Sequence, residues 1–424
     1  MTKRTLAQWL HYLEQLHPVE MDLGLERIRP VAQRLGVLTP AKKVVTVTGT
    51  NGKGSTCAFL ASLLEAQNAR VGVYSSPHFL RYNERIQVCG AFASDEQICA
   101  AFDAVENARG ATSLTYFEFG TLAALLIFAQ SDLDVAILEV GLGGRLDAVN
   151  IVDADIAVIT SIAVDHEDWL GGTRESVAFE KSGIFRQGKP AICGDLDAPR
   201  TVYEQAQARG ALLCSRGAEF DLAFGEGAWH WRGINAEHER LSLHDLPILE
   251  LPVENAAIAL QVYALLNMPW NAKVLADALK AITLTGRYQR VTLEHAGQKR
   301  HLILDVAHNP HAAQYLANRL ETSPITGVRY AVFGALSDKD VAGVIQALKG
   351  QIEHWNIAAL PSPRSYSAQE LESLLHDNGV GCSAHEDIAA ALRVTLEQAS
   401  EQDEILVFGS FFTVAQVLEY IGRC

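Results

Sequence analysis

The residues best suited to bind phosphate lie between positions 49 and 56, and they read Gly49-Thr50-Asn51-Gly52-Lys53-Gly54-Ser55-Thr56. The glycines let the backbone turn its N–H groups toward phosphate oxygens, and Lys53 adds a positive charge. A hydroxyl at Ser55 or Thr56 can approach a magnesium ion held by the same phosphates. An apolar run at 44–48 precedes the segment and a helix pattern follows it, which is the order of a nucleotide-binding loop.

This segment departs from the strict pattern G-x-x-x-x-G-K-[ST]. Gly54 follows Lys53, and Val47 stands where the first glycine belongs. A turn that only caps a helix is the alternative interpretation. The order of strand, loop and helix favours nucleotide binding over that alternative.

Two side chains further along the chain are candidate metal ligands. Glu139 ends the apolar run 135–138, and a carboxylate at the carboxyl end of a parallel strand faces the ligand crevice. Magnesium prefers hard oxygen ligands of this kind. His166 has a similar placement after the run 156–164. The alternatives are a carboxylate that caps a turn and a histidine that is packed or lies on the surface.

The strands and helices that must position these residues can be predicted from apolar runs that alternate with helix-period segments. Strands are predicted at 44–48, 71–75, 135–140 and 156–162, and helices at 56–67 and 119–130. Apolar strands alternating with helices are typical of a doubly wound α/β fold. The region 209–251 differs, because period-two hints at 228–232 and 241–243 predict a small antiparallel excursion.

A second alternating series begins after Gly286, with strands predicted at 301–306, 329–333, 355–360 and 404–408. A chain of 424 residues also exceeds the usual size of one hydrophobic core. We therefore predict an α/β protein with two domains. Residues 1–285 form a large P-loop-type domain with a mostly parallel sheet, and residues 286–424 form a smaller C-terminal Rossmann-like α/β domain.

Composition narrows the class of protein. Hydrophobic residues make up 49% and charged residues 20% of the chain, which is typical of a globular enzyme. A net charge of −15 argues against binding to nucleic acid, although isolated cations such as Lys53, Arg81, Arg85 and Arg287 can make a local site positive. Seven scattered cysteines indicate a reducing compartment, so we expect a cytoplasmic protein. The most apolar stretch, 122–129, is too short to cross a membrane.

Several segments together resemble the bifunctional dihydrofolate synthase/folylpolyglutamate synthase family, a branch of the Mur ligase superfamily. The resemblance covers nearly the whole chain, and the segments occur in the family's order. They are 22–27, the loop 49–55, 75–78 with 81–85, 114–118, 139–147, 165–166, 180–184, 286–287, 305–310 and 409–411.

The resemblance implies two magnesium sites and an ATP site. Ser76, Glu139 and His166 would hold one magnesium, and Lys181, carbamylated by carbon dioxide, would hold the second. A surface cation is the alternative for Lys181. The implied ATP contacts are Thr50, Asn51, Gly52, Lys53, Gly54 and Ser55 in the loop, and Asn255, Arg287 and Asp305 elsewhere. Because the last two belong to the second domain, we expect ATP at the domain interface.

The resemblance also implies a pterin site and a glutamate site. The implied pterin contacts are Asp22, Leu23, Gly24, Leu25, Thr115, Tyr116, Phe117, Glu118, Leu146, Asp147 and Ala148. Phe117 offers an aromatic face to a flat ring, although it could equally belong to the core. His308 and Ser410 are the candidates for binding glutamate. Phe412 stands where relatives often carry histidine or tyrosine.

The implied reaction is ATP-dependent ligation of L-glutamate to dihydropteroate and to tetrahydrofolate or its polyglutamates, through an acyl phosphate. Lys53, Lys181 and His308 are the implied catalytic residues. We expect a monomer with small-molecule substrates only and no nucleic-acid or membrane partner. The alternatives are a folylpolyglutamate synthase alone, another Mur-type amino-acid ligase, and a nucleotide-binding regulator without ligase activity.

Overall fold

A computed structural model describes residues 4–19 and 21–422 of the chain. The chain divides into two units, Met1–Ile282 and Thr283–Cys424. The predicted domain boundary, between 285 and 286, lies close to this division.

The first unit is built on an eight-stranded sheet in the order β4-β3-β2-β5-β1-β6-β7-β8. All of its pairings are parallel except those of β3 with β2 and β4. Nearly all residues of β1, β2, β5 and β6 are buried, as expected for strands covered on both faces. The strands are β1 (Lys43–Thr48), β2 (Val71–Tyr74), β3 (Ile86–Val88), β4 (Ala91–Phe92), β5 (Val135–Glu139), β6 (Ile156–Ile159), β7 (Pro190–Cys193) and β8 (Leu212–Ser215).

Ten helices belong to this unit within the described residues. They are α1 (Leu6–Leu16), α2 (Ile28–Leu35), α3 (Lys53–Glu65), α4 (Asp95–Arg109), α5 (Tyr116–Ala129), α6 (Glu167–Leu170), α7 (Arg174–Lys181), α8 (Arg200–Arg209), α9 (Val253–Leu265) and α10 (Ala272–Lys280). Short 3-10 turns occupy Tyr82–Arg85, Ala148–Ile151 and Ser182–Ile184. The predicted helix at 56–67 begins earlier, at Lys53, because Gly52 adopts the left-handed conformation that starts α3.

The predicted antiparallel excursion is confirmed as a three-stranded sheet of β9 (Asp221–Phe224), β10 (Ala228–Ile234) and β11 (Arg240–Pro247). Trp229 and Trp231 alternate with more exposed residues along β10, and both are buried. The Trp231 indole N–H donates to the Ala257 carbonyl of α9 at 3.0 Å. This bond attaches the small sheet to the helix that also packs on α3.

The second unit has a six-stranded sheet in the order β12-β13-β17-β14-β15-β16, parallel except for the β12–β13 hairpin. Its strands are β12 (Gln289–His295), β13 (Gln298–Leu304), β14 (Arg329–Phe333), β15 (His354–Ala358), β16 (Cys382–His385) and β17 (Glu404–Phe408). Its helices are α11 (Pro310–Glu321), α12 (Val341–Leu348), α13 (Ala368–Asp377), α14 (Ile388–Gln398) and α15 (Phe411–Gly422). The predicted fold class and the four predicted strands are confirmed. The edge strands β12 and β16 were not predicted, because their residues are mostly half-exposed and lack an apolar run.

Among the described helices, none combines the length and the apolar character needed to span a bilayer.

A buried ion pair in the second unit gives a test of its stability. The Arg329 guanidinium donates to the Glu404 carboxylate at 2.8 Å, and both side chains are almost fully buried. We expect Arg329→Met to lower the free energy of unfolding by about 3 kcal/mol, because Glu404 would stay buried with only the half-exposed Arg290, 3.7 Å away, as a charge partner.

The matched control is Arg200→Met, which breaks the exposed helical pair of Arg200 with Glu204. Its expected cost is about 0.4 kcal/mol or less. Urea unfolding followed by intrinsic fluorescence compares the two variants, and equal transitions would contradict the buried pair's role.

Candidate active site

The nucleotide loop joins β1 to α3, and hydrogen bonds to residues 160–163, which follow β6, hold its backbone in place. The Thr50 hydroxyl donates to the Ala163 carbonyl at 2.9 Å, and the Thr160 hydroxyl donates to the Asn51 carbonyl at 2.6 Å. The Lys53 ammonium donates to the Gly49 carbonyl at 2.9 Å. The predicted strand–loop–helix order is therefore confirmed, and the loop's backbone is positioned by side chains about a hundred residues away in sequence.

Two glycines of the loop have close neighbours that exclude a side chain. A Cβ added at Gly49 would lie 1.8 Å from the Thr160 hydroxyl oxygen, and one added at Gly52 would lie 2.5 Å from Asn255 Oδ1. Gly52 also has φ +87°, which disfavours any residue with a Cβ. Asn255 lies in the first turn of α9 and is 8% exposed. The structure thus places this predicted nucleotide residue against the loop.

Glu139 and Ser76, two of the predicted metal ligands, lie together beside the loop. The Ser76 backbone N–H donates to Glu139 Oε2 at 3.3 Å. A Cβ added at Gly54, in the first turn of α3, would lie 3.8 Å from each Glu139 carboxylate oxygen. A buried carboxylate next to a helix N-terminus suits both the helix dipole and a hard cation that bridges to phosphate.

His166 starts α6 in the left-handed conformation, with φ 53°, and its backbone N–H donates to Asp165 Oδ1 at 2.8 Å. It follows the segment 160–163 that supports the nucleotide loop. Within residues 4–19 and 21–422, no group of three or more His, Cys, Asp or Glu side chains is arranged to hold a metal ion. The first predicted set contains only two residues of those types, Glu139 and His166, so it also needs Ser76, and the second predicted magnesium depends on Lys181.

Lys181 ends α7 and is 3% exposed, so its interpretation as a surface cation is wrong. Burial first and the nearby Lys53 second lower the pKa of Lys181 to about 7, while Asp165 and Asp147 oppose this shift. Burial favours the neutral amine, because a charged ammonium in a low-dielectric site loses its hydration. A neutral amine is also the form of lysine that reacts with carbon dioxide.

The three predicted pterin segments contact one another. The Gly24 N–H donates to the Leu146 carbonyl at 3.2 Å, which joins 22–25 to 146–148. Arg27 forms ion pairs with Asp22 at 2.6 Å and with Glu118 at 3.3 Å, which joins 22–25 to 115–118. A Cβ at Gly141 would meet the Phe117 ring at 2.8 Å, so this ring packs against the loop that follows β5.

Two carboxylates of these segments are already engaged by the protein. Glu118 caps α5 by accepting the Thr115 N–H at 2.8 Å, in addition to its pair with Arg27. Asp147 accepts the N–H groups of Leu142 at 2.9 Å and Val149 at 3.1 Å. Burial raises the pKa of Asp147 to about 6 despite those bonds. Both carboxylates therefore stabilise the conformation of their own segments. A hydrogen bond from either one to a pterin would have to form alongside these existing bonds.

The predicted residues of the second unit lie where its parallel strands end. Asp305 follows β13 and accepts the N–H groups of Tyr288 and Ala307, each at 2.8 Å. Burial raises the pKa of Asp305, while the nearby Arg287 opposes that shift. The Arg287 guanidinium lies over the Phe411 ring, 5.0 Å from its centroid.

The two candidate glutamate residues lie near this edge as well. A ring nitrogen of His308 is 2.8 Å from the Val306 carbonyl. Ser410 follows β17, is buried, and accepts the Phe412 N–H at 3.2 Å. Both residues are thus bonded to the backbone of the turns that carry them.

Sequence reasoning missed Arg27, Thr160 and Ser161. Arg27 lies within the segment 22–27 that the resemblance had singled out, so its charge beside Asp22 was an available signal. Thr160 and Ser161 carried no such signal, because their bonds to the Asn51 carbonyl, at 2.6 and 3.0 Å, form only in the folded chain.

Comparison with known proteins agrees with this arrangement. Residues 47–254 match the family model of the Mur ligase middle domain, and residues 286–411 match that of the Mur ligase glutamate ligase domain. The dihydrofolate synthase/folylpolyglutamate synthase of Escherichia coli K12 is 48% identical over 416 residues, which cover 98% of this chain and 95% of that protein. The chain belongs to the dihydrofolate synthase/folylpolyglutamate synthase family.

Solved structures support the same assignment. E. coli FolC in complex with DHPP and ADP superimposes with a TM-score of 0.92 at 47% identity, covering 99% of this chain and 98% of that chain. A bifunctional folylpolyglutamate synthase/dihydrofolate synthase with Mn, AMPPNP and L-glutamate bound has a TM-score of 0.91 at 47% identity, with the same coverage. As a dihydrofolate synthase/folylpolyglutamate synthase family member, the chain is an ATP-dependent amide-forming ligase that adds glutamate to folates and uses a divalent metal. The predicted enzyme class is confirmed.

The contact between Gly52 and Asn255 gives a test of the nucleotide loop in this family member. We expect Gly52→Ala to raise the KM for ATP by about tenfold or more, because the added Cβ would displace Asn255 and strain the loop. Steady-state kinetics with varied ATP measure the effect.

Gly188→Ala is the matched control, since Gly188 has φ +67° but no atom within 4 Å of an added Cβ. Both variants lose roughly 1 kcal/mol of stability from the left-handed backbone. Only Gly52→Ala should change the KM for ATP, and a similar change in both variants would contradict the role of the Gly52–Asn255 contact.

Proposed function

We propose that one acid site in the first unit serves both glutamate additions, to dihydropteroate and to tetrahydrofolate, each through an acyl phosphate. The observation that supports this is the short span between Glu139 and Asp147. Glu139 at one end lies beside the first turn of α3, and Leu146 at the other end accepts the Gly24 N–H of the proposed pterin segment 22–25. An acid bound by its pterin ring at one end of this span would extend its carboxylate toward the nucleotide phosphates.

The proposed ATP contacts are the loop residues Thr50 to Ser55 together with Asn255, Arg287 and Asp305. In the first step a carboxylate oxygen of the acid attacks the γ-phosphorus, the bond from phosphorus to the β–γ bridging oxygen breaks, and ADP leaves. Lys53 lies in the first turn of α3 and would offset the charge that develops on the transferring phosphoryl group. The backbone N–H groups at the start of α3 would bind the phosphate oxygens.

We assign one magnesium to Ser76, Glu139 and His166, and a second to a carbamylated Lys181. The bond from Ser76 N–H to Glu139 supports the first set, and the burial of Lys181 supports the second. Bound magnesium would neutralise charge on the β- and γ-phosphates. Carbamylation would join the neutral Lys181 Nζ to the carbon of carbon dioxide and release one proton, converting an amine into an anionic ligand.

The second step forms the amide. The amino nitrogen of L-glutamate attacks the acyl carbon, the carbon–oxygen bond to phosphate breaks, and the nitrogen loses a proton. We propose His308 as the group that accepts or orients this proton and Ser410 as a glutamate contact, on the basis of their place at the carboxyl edge of the second sheet. Excluding water protects the acyl phosphate from hydrolysis.

Further assignments complete the proposal. The functional domains are 1–285, with the nucleotide loop and pterin site, and 286–424, which supplies Arg287, Asp305, His308 and Ser410. The chain would act as a monomer in the cytoplasm, a location that fits the six free cysteines in the described part of the chain.

The substrate assignment is tested with purified protein, ATP and magnesium. We expect ADP release to require L-glutamate together with either dihydropteroate or tetrahydrofolate, because both acids share the pterin ring. The two acids should compete, as expected for one site. Coupled ADP detection and mass analysis of the products measure this.

A cell-wall nucleotide with an amino acid is the negative control and should give no ADP. Turnover of tetrahydrofolate alone would remove the dihydropteroate half of the proposal. Absence of turnover with both acids would overturn the proposal as a whole.

The modification of Lys181 is tested by carbon-13 NMR of protein incubated with labelled bicarbonate. We expect one carbamate resonance in the wild-type protein and none in Lys181→Arg, because arginine keeps a positive charge but forms no carbamate. Lys181→Ala should lose activity and regain part of it with an added short carboxylic acid.

Lys189→Arg serves as the control, since Lys189 is a surface lysine paired with Asp155 at 2.9 Å. A resonance that persists in Lys181→Arg, or one that never appears in active wild-type protein, would rule out carbamylation of this residue.

A further inference from the structure

Arg85 is a cation that forms no ion pair with a carboxylate in the described part of the chain. Its Nε donates to His78 Nδ1 at 2.8 Å, and its guanidinium lies 5.4 Å from the Tyr82 ring centroid and 5.6 Å from that of Tyr116. Within the described ranges no acidic side chain comes within ion-pair distance of Arg85. An arginine held on aromatic rings and half removed from water is suited to bind an anion.

Among the described residues, no hydrogen bond engages the terminal nitrogens of Arg85. The neighbouring Glu84 carboxylate accepts the backbone N–H groups of Phe79, Leu80 and Arg81 at 2.7 to 2.9 Å, so it is turned into its own loop. The Arg85 Nε–H donates to His78 Nδ1, so this ring nitrogen acts as an acceptor and carries no proton. His78 therefore orients the guanidinium without neutralising it.

Arg85 also lies between the two halves of the proposed acid site. Tyr116 belongs to the pterin segment 115–118. Arg85 closes the loop that carries Ser76, since its carbonyl accepts the Ser75 N–H at 3.0 Å, and Ser76 in turn bonds to Glu139. A folate that spans from the pterin segment to the nucleotide loop would pass this guanidinium.

The two acids differ in what they could offer Arg85. Dihydropteroate has one carboxylate, which must attack the γ-phosphorus. Tetrahydrofolate has a terminal glutamate with two carboxylates, of which the γ-carboxylate reacts and the α-carboxylate keeps its charge throughout. That second charge approaches a region containing Glu139 and Asp147, so it needs a cation nearby.

We propose that Arg85 binds the α-carboxylate of the terminal glutamate of folate substrates and so determines the specificity for folate extension. This inference rests on the proposed use of both acids at one site. Arg85 contributes binding to tetrahydrofolate and its glutamylated forms, and it contributes little to dihydropteroate.

The test compares Arg85→Gln with wild-type enzyme in steady-state assays with each acid. We expect the KM for tetrahydrofolate to rise roughly ten- to a hundredfold, because a charge-assisted hydrogen bond to a carboxylate is lost. The KM for dihydropteroate should stay within about twofold, and kcat should change little with either acid. Arg85→Lys keeps the charge and should show a smaller rise.

The matched control is Arg81→Gln, which removes an exposed arginine of the same loop that pairs with Asp95 at 3.4 Å. It should leave both KM values unchanged. An analogue of tetrahydrofolate with an α-carboxamide provides a second measurement. Wild-type enzyme should bind it more weakly than tetrahydrofolate, and Arg85→Gln should no longer distinguish the two.

Equal rises in KM for both acids, a loss of kcat with both, or no change with either would overturn the role of Arg85. If Arg85→Gln does not fold, Arg85→Lys and the carboxamide analogue decide the question, and wild-type indifference to the α-carboxamide refutes the proposal. Failure of the wild-type enzyme to use one of the acids would instead count against the proposed function, so the two failures are distinguishable.

Discussion

Parallel pairing of β1 with β5 is the constraint on which the site in the first unit depends. The pairing sets Val47 opposite Glu139, so β5 delivers its carboxylate at the same edge where β1 turns into the nucleotide loop. β6 pairs with the other side of β1 and sets Ile159 opposite Thr48, after which Thr160 and Ser161 reach the loop backbone. The loop is therefore held by residues that follow β6 and lies beside Glu139 of β5, and Gly49 and Gly52 have no room for a side chain.

Two ionisable side chains of this site, Lys181 and Asp147, are removed from water. Lys181 and Asp147 are both almost fully buried, and burial moves the pKa of each toward neutrality, to about 7 and about 6. Lys53 opposes protonation of both groups through its own charge. Groups with perturbed pKa values near a phosphate loop are typical of catalytic sites, because reactions at neutral pH use groups that sit close to neutrality.

The acidic side chains of the proposed pterin segments form hydrogen bonds and ion pairs with other groups of the protein. Glu118 fixes the start of α5 and anchors Arg27, and Arg27 in turn holds Asp22. Asp147 orders the loop 142–149 by accepting the backbone N–H groups of Leu142 and Val149. In the second unit Asp305 holds the Tyr288 backbone, whose φ of 47° is left-handed. Each carboxylate thus orders a segment that could contact a ligand, at the cost of its own freedom to do so.

Local patterns in the sequence determined the loop, the buried strands and the two α/β series, because glycine spacing and unbroken apolar runs report on backbone geometry within a few residues. They could not determine that Asn255 lies against Gly52, that Lys181 is buried, or that Glu118 pairs with Arg27. These facts join residues far apart in the chain, and only the packing of α9, α7 and α5 against the sheet decides them. Edge strands β12 and β16 also escaped prediction, since half-exposed strands carry no continuous apolar run. Local sequence patterns therefore reveal which reactive groups the chain contains. Tertiary packing decides which of their charges are neutralised within the protein and which remain to bind a substrate.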